Sequence, residues 1–396
     1  MMKQFTLNGE TIFGTQAKAE LGRRKVNAPS AARIRAIIAH SLYIQYDPLK
    51  MVAPSHYLNL FARDARFSYN DVTRGVSFEN SIIEDWIRVA SFMCLEDFRV
   101  LGPEFRRRRA GPLRYGEQRR VGSDIHSLAS QLMKLISLAD GPLTASEVKN
   151  IAGLKRGIAS GSWKTGVVRT ALNYLWYRGY LAIVGRNSDQ QPRFDTSQRT
   201  VGDHFGGPFV EDEHKILMDH LVIRTINALM AATPAQVAWY LGLRVSLVRS
   251  AVERLVEADL LMSVAVAKVK SPYYATHESC LLLREYEKET RAAADTRIIS
   301  PFDGLVVDRV RLQQLTQIRF RAELFTPAEQ RSGATSYPLL TIRAGQVSRV
   351  IWLKADRPGG VLRLLDSQKL QGRPVISNSE WTAIRCVAAF VGLAIE

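Results

Sequence analysis

In the stretch SLYIQYDPLKMVAPSHYLNLFARDARF, Ser41 to Phe67, an amide and a carboxylate stand two residues apart: Gln45 and Asp47, with Tyr46 between them. On a strand alternate side chains share a face, so this pair would point one way and Tyr46 the other. Pro48 ends regular pairing at that point. A carboxylate so placed can stabilise a cation or activate a water, and an amide can position either one. The competing structural reading is a strand end whose Gln and Asp make only turn hydrogen bonds. His56, nine residues on, reads as a surface or packing residue. Lys50 is an amine close to the pair, and a Schiff-base nucleophile would need such a group. Nothing around it signals an activated amine, so it receives no role.

The rest of the chain suggests which cation is involved. It has 396 residues, 46% hydrophobic and 23% charged, a globular composition of a length that favours several domains. Lys and Arg total 54 against 38 acidic residues, a formal charge of +16. Such an excess favours a polyanionic partner, here double-stranded DNA. The cysteines Cys94, Cys280 and Cys386 are scattered, with no C-x-x-C, so neither a zinc site nor a disulfide framework is expected. No metal or small-molecule cofactor is expected. Clustered carboxylates of metal-site spacing are also missing, which argues against a nuclease. No apolar run reaches membrane-spanning length and no signal segment is evident, so a cytoplasmic protein without membrane contact is expected. Nothing in the chain demands a dimer, and a monomer is the expectation.

Two middle segments repeat one plan. In residues 121–207 a helix from Ser123, a short helix opened by Thr144 and Glu147, and a third helix ending at Gly179 precede the strand YLAIV and a return strand. In residues 208–295 the same order recurs, with Thr233, Pro234 and Gln236 opening the short helix. Helix, capped short helix, helix, hairpin is the order of a winged helix-turn-helix unit. Residues 1–120 form a third, modified unit of this type, with helices at PSAARIRAIIAHSL and FENSIIEDWIRVASFM. From residue 296 short β-rich runs recur: GLVVDRVRL, RFRAELF, YPLLTIRA, SRVIWLKA and GVLRLL. They predict a small C-terminal β-barrel or antiparallel sheet, closed by a helix capped by Ser379. The fold class is mainly α with β.

Between Phe98 and Arg120 lie eight arginines, including the unbroken run Arg106, Arg107, Arg108 and Arg109. Phosphate is the natural counterion for so much like charge; a solvated linker is the alternative. On the third helix of each repeat, Lys164 and Arg169, and Arg244 and Arg249, are candidates for contacts to phosphates or base edges.

Several of these segments together resemble a known family, the interstrand-crosslink repair DNA glycosylases of AlkZ-like and YcaQ-like type. IQYDPLKMVAPSHYLNLFARDARF resembles the family's Gln-x-Asp or Gln-x-Gln strand and the Leu-Phe-x-Arg that follows, ending at Arg63. EDWIRVASFMCLEDFR resembles its Glu-x-Trp helix. SPFDGLVVDRVRLQQLTQIRFRAELFTPAEQR resembles its Ser-Pro-Phe-Asp block, and YPLLTIRAGQVSRVIWLKADRPGGVLRL its barrel strands and Lys-Ala-Asp-Arg turn, with Lys354 and Arg357. The resemblance implies tandem winged helices, a C-terminal barrel and a monofunctional glycosylase that removes N7-alkylated purines and can unhook crosslinks. Asp47 would be the catalytic carboxylate and Gln45 its partner at the sugar and the water; Arg63, Lys354 and Arg357 would join the DNA-binding residues. The chain departs from the family pattern at Lys50, Pro54, Asp85, Arg88, Thr341 and Trp352, which alters the expected site wall and barrel face. A non-catalytic winged-helix DNA-binding protein is the alternative function.

Overall fold

The computed structural model describes residues 6–21, 27–112, 125–153, 165–288, 295–323, 326–331, 333–370 and 375–396. Lys164, the expected cap Ser123, and Arg114, Arg119 and Arg120 lie outside them. The chain groups into two units, residues 1–75 with 219–396, and residues 76–218. The four sequence segments divide the chain differently: the first, residues 1–120, and the third, 208–295, each contribute to both units. Among the described residues no helix is long and apolar enough to cross a membrane.

In the discontinuous unit, the helix Ser30–Ser41 leads to a two-residue strand, Ile44–Gln45, and then to the helix Ser55–Arg63. The later part of this unit has the expected helical order. Thr233 caps the helix Pro234–Leu241 through a box with Gln236, and Gly242 ends it at a positive φ of 65°. On the next helix, Val245–Glu257, the buried residues Val248, Ala251, Val252 and Leu255 follow one stripe. The strands Met262–Val266 and Tyr273–Ala275 pair antiparallel, and Thr6–Leu7 joins the first of them in parallel. A shared core of Phe13, Tyr273, Leu312, Leu340, Ile342 and Trp352 binds these elements to the C-terminal sheet.

That sheet has five strands in sequence order, Arg297–Ile299, Leu339–Arg343, Gln346–Asp356, Val361–Lys369 and Ala394–Ile395, antiparallel except at the last pair. Two expected strands are not there. Asp308 accepts a hydrogen bond from Arg311 N (2.9 Å) and starts the helix Arg309–Thr316 within GLVVDRVRL. The described part of RFRAELF, residues 319–323, is not a strand. The last helix, Asn378–Phe390, is capped by Ser377 with Glu380 rather than by Ser379.

The unit of residues 76–218 repeats the helical order with Ile125–Leu138, Ala145–Ile151 and Thr165–Tyr177, and Thr144 makes its box with Glu147. Its strands run in the order Ala90–Cys94, Ile82–Trp86, Leu181–Arg186, Pro192–Thr196, Leu143–Thr144. FENSIIEDWIRVASFM is therefore no helix but a short 3-10 turn and a hairpin, with Ile82 opposite Cys94 and Trp86 opposite Ala90. Ile82, Ile83, Glu84 and Asp85 are all buried. With both faces covered, the strand carries no alternation for the sequence to display.

The two acids of that strand are treated differently. Glu84 receives Arg186 through two hydrogen bonds, at 2.6 and 2.9 Å. Asp85 is fully buried and neither of its oxygens closes a hydrogen bond. Burial pushes its carboxyl up to about 6, against the opposing pull of Arg108. A raised carboxyl stabilises the fold below its unfolded pKa, and that contribution disappears as the pH rises through about 6. This unit should therefore lose stability between about pH 4 and pH 6, by up to about 3 kcal/mol. Asp85→Asn should flatten that part of the profile in urea titrations at several pH values; an unchanged profile would assign the dependence elsewhere.

The arginine run is the helix Gly102–Ala110, and its guanidinium groups are used within its own unit. Arg106 binds Glu213 and Gly206 O. Arg107 holds Glu104 through two bonds of 2.7 Å. Arg108, only 8% exposed, bonds to Glu104 and Tyr177 O and lies 4.6 Å from the Tyr177 ring centroid. Arg109 donates to Arg178 O, Gly179 O and Phe205 O. Burial alone would raise Glu104, but hydrogen bonds from Arg107 and His214 and the charge of Arg108 hold it well below the usual carboxylate range. Neither phosphate contact nor a solvated linker describes these four residues. They tie carbonyl ends together. Arg109→Ala, which leaves three carbonyls without their donor, should cost about 2–4 kcal/mol. The slope of DNA affinity against salt should be unchanged; a flatter slope would restore Arg109 to the phosphate-contacting set.

Candidate active site

The backbone at Gln45 and Asp47 is clamped by one residue. Ser55 Oγ donates to Gln45 O (3.3 Å) and Ser55 N to Asp47 O (3.2 Å). Carbonyls two apart point to one side of an extended chain, so this double clamp keeps the pair extended beyond the strand itself. Pro54 sets the start of the helix Ser55–Arg63 and so fixes Ser55. The loop between is pinned by the C-terminal sheet. Ala355 N donates to Met51 O (2.8 Å), and Arg357 donates to Val52 O (2.7 Å) and Lys50 O (3.4 Å).

Asp47 is half-buried, and Leu49 N donates to its Oδ1 at 2.9 Å. Among the described residues no cation pairs with it. Burial raises its pKa, and the Leu49 bond only partly offsets this. Tyr46 and His56 lie beside it in an aromatic series: Tyr46 to His56 at 5.4 Å, His56 to Tyr57 at 4.8 Å, Tyr57 to Tyr69 at 4.3 Å between ring centroids. His56 is buried in this packing.

Gln45 lines a cavity of about 10 Å³, the size of one water, together with Ser41, Asn59, Arg63, Tyr240 and Phe302. Beneath it lies a buried polar network. Arg63 NH1 donates to Asp303 Oδ2 (2.6 Å), and NH2 pairs with both Glu20 and Asp303. With its amide oriented by the network, Asn59 donates to Asp303 Oδ2 (3.1 Å), Ser300 Oγ (2.8 Å) and Ser55 O (3.1 Å). Arg63 is thus 6% exposed and paired with two carboxylates. It does not reach a surface where phosphate could bind, and its expected DNA contact is replaced by support of the segment that carries Ser55.

Of the other expected DNA-binding residues, Arg169, Arg244, Arg249, Lys354 and Arg357 are exposed. Arg244 and Arg249 lie at the start of the helix Val245–Glu257, and Arg169 lies on Thr165–Tyr177 in the other unit. Arg357 and the adjoining Lys354 flank the loop after Asp47, which their sequence positions could not reveal. Among the described residues no group of three histidines, cysteines or acids is placed to hold a metal ion. A cavity of about 860 Å³, lined by Arg33, Arg66, Arg297, Arg343 and Cys386 among others, touches neither Gln45 nor Asp47.

A clamped carboxylate without a cation, beside an amide and an aromatic series, suits chemistry on a positively charged reacting centre. Comparison with known proteins gives the chain a family. The model of the AlkZ-like DNA glycosylase family matches residues 38–388, most of the chain, and the chain belongs to this family. It is a DNA glycosylase, an enzyme of DNA repair. In fold it is similar to the Streptomyces sahachiroi DNA glycosylase AlkZ, with a TM-score of 0.67 and 14% identity, covering 99% of this chain and 100% of that one.

Proposed function

We propose that this glycosylase hydrolyses the N-glycosidic bond of cationic N7-alkylpurines in double-stranded DNA, and that it unhooks interstrand crosslinks formed through such purines. The supporting observation is Asp47: a half-buried carboxylate, held by its backbone, with no cation among the described residues to neutralise it. Alkylation at N7 puts a positive charge on the purine, which is then already a good leaving group. As the C1′–N9 bond breaks, its electrons go to the base and positive charge develops on the deoxyribose. Asp47 stabilises that charge and accepts a proton from the incoming water, while the Gln45 amide holds the water. The products are the neutral alkylated base and an abasic site.

Contacts to the DNA backbone fall to the exposed cations Arg169, Arg249, Lys354 and Arg357, and to Lys164 outside the described residues. The protein acts as a monomer in this reading. Because Asp47 works as a carboxylate, activity should fall as the pH drops through its raised pKa, at a higher pH than an ordinary aspartate would set. The test is incubation with duplex DNA containing N7-methylguanine, followed by alkaline cleavage at abasic sites. Strand cleavage that depends on the protein supports the reading. Binding without cleavage would leave a DNA-binding protein that lacks this activity.

A further inference from the structure

We infer that Leu49 is a wedge that enters the base stack beside the lesion and loosens the purine, so that its sugar settles against Asp47. This rests on the role proposed for Asp47. The tip that follows the carboxylate faces outward: Pro48, Leu49 and Lys50 are all exposed, Leu49 by 45%. A single exposed leucine is ordinary on a protein surface. This one is distinguished by how it is held and by what surrounds it.

Leu49 N donates to Asp47 Oδ1 at 2.9 Å, which ties the position of the leucine to that of the carboxylate. Pro48 between them has a fixed φ and no N–H to give away. Behind the tip the chain is anchored. Met51 O accepts from Ala355 N, Lys50 O and Val52 O accept from Arg357, and Val52 and Ala53 are fully buried. An apolar side chain on a loop pinned in this way can press into a stack without the loop folding back. Exposed cations flank it: Lys50 on the tip itself, Lys354 and Arg357 on the segment that does the pinning. The neighbouring Asp356 is paired with Arg363 (3.3 Å). Phosphates drawn to the three cations bring the duplex down onto the tip. Leucine and proline are among the side chains that enter base steps, partly unstack them and bend the duplex. A stacked purine is hard for an enzyme to reach, and the cost of loosening it falls on the protein. Leu49 meets that cost by filling the space the purine gives up, two residues from the group that meets its sugar.

The experiment compares Leu49→Ala, Leu49→Met, Asp47→Asn and the unaltered protein. Single-turnover base release is followed from N7-methylguanine in a fully paired duplex and from the same lesion inside a mismatched bubble. Leu49→Ala keeps the backbone N–H that Asp47 uses and alters only an exposed side chain, so the melting temperature should hold. It is expected to slow release from the paired duplex by about tenfold or more, and from the bubble by less than about threefold. Leu49→Met should match the unaltered protein on both, and Asp47→Asn should be slow on both. Equal slowing of Leu49→Ala on the two substrates would make Leu49 a support for Asp47 and overturn the wedge. Unchanged release from the paired duplex would overturn it as well. A 2-aminopurine beside the lesion, quenched while stacked, gives a reading without turnover. Its fluorescence should rise when Asp47→Asn binds and stay low when Leu49→Ala is added to that variant; a rise that survives Leu49→Ala would also refute the wedge. Should Asp47→Asn keep full activity, the role of Asp47 fails, and the fluorescence still judges Leu49 separately.

Discussion

Asp47→Asn should reduce single-turnover release of N7-methylguanine by about 100-fold or more. Asparagine keeps the size of the side chain and its acceptor for Leu49 N, so the clamp by Ser55 should survive and the melting temperature should hardly change. What it removes is the negative charge. Affinity for undamaged duplex should stay the same or rise, because an anion facing a phosphate backbone is repelled. This opposition, tighter binding with slower chemistry, marks an electrostatic role in the reaction. A rate within threefold of the unaltered protein would mean that another group stabilises the sugar. Gln45→Ala should have the smaller effect, since water can replace an amide that only orients water.

The second large effect is on stability. Arg63→Ala should destabilise the unit of residues 1–75 and 219–396 by about 3–5 kcal/mol, measured by urea unfolding. Burial disfavours the Arg63 charge, but Asp303 and Glu20 outweigh it and hold the guanidinium well above its ordinary range. Removing the cation leaves two buried carboxylates facing each other, and burial already raises Glu20. Asp303→Asn added to Arg63→Ala should recover part of the loss, because it removes one of the stranded charges. A cost below about 1 kcal/mol for Arg63→Ala would show that the ion pairs contribute little and that the site does not depend on them.

Arg63 and the arginine helix also show why parts of this molecule were hidden in its sequence. A run of arginines resembles a surface for phosphate because the sequence shows the charge and not its partners. Most of those partners, the carbonyls of Arg178, Gly179 and Phe205 and the carboxylate of Glu213, lie far along the chain; only Glu104 is on the same helix. Local signals fared better. The capping boxes at Thr144 and Thr233 are four-residue patterns with a local mechanism, and both form as expected. The hairpin at residues 82–94 was misread because its buried Glu84 and Asp85 give it the look of an amphipathic helix. At the site, Gln45 and Asp47 were legible as a pair because their chemistry lies within three residues. The loop-pinning bonds of Ala355 and Arg357 were not, since both depend on a distant strand. The last helix forms where expected, but its cap lies two residues earlier, because Ser377 and Ser379 flank Asn378 at its start.

One consequence follows from the interrupted course of the unit that carries Asp47. Its early residues leave the ribosome first, and the segment 76–218 then emerges with a core of its own, from Ile125 to Phe194. That middle segment can settle while the earlier one still waits for its strands. Asp47 reaches its final surroundings only after Ala355 and Arg357 have been synthesised. A newborn chain therefore carries Asp47 on an unfinished support until these strands emerge, and a premature stop before Arg357 would leave it so.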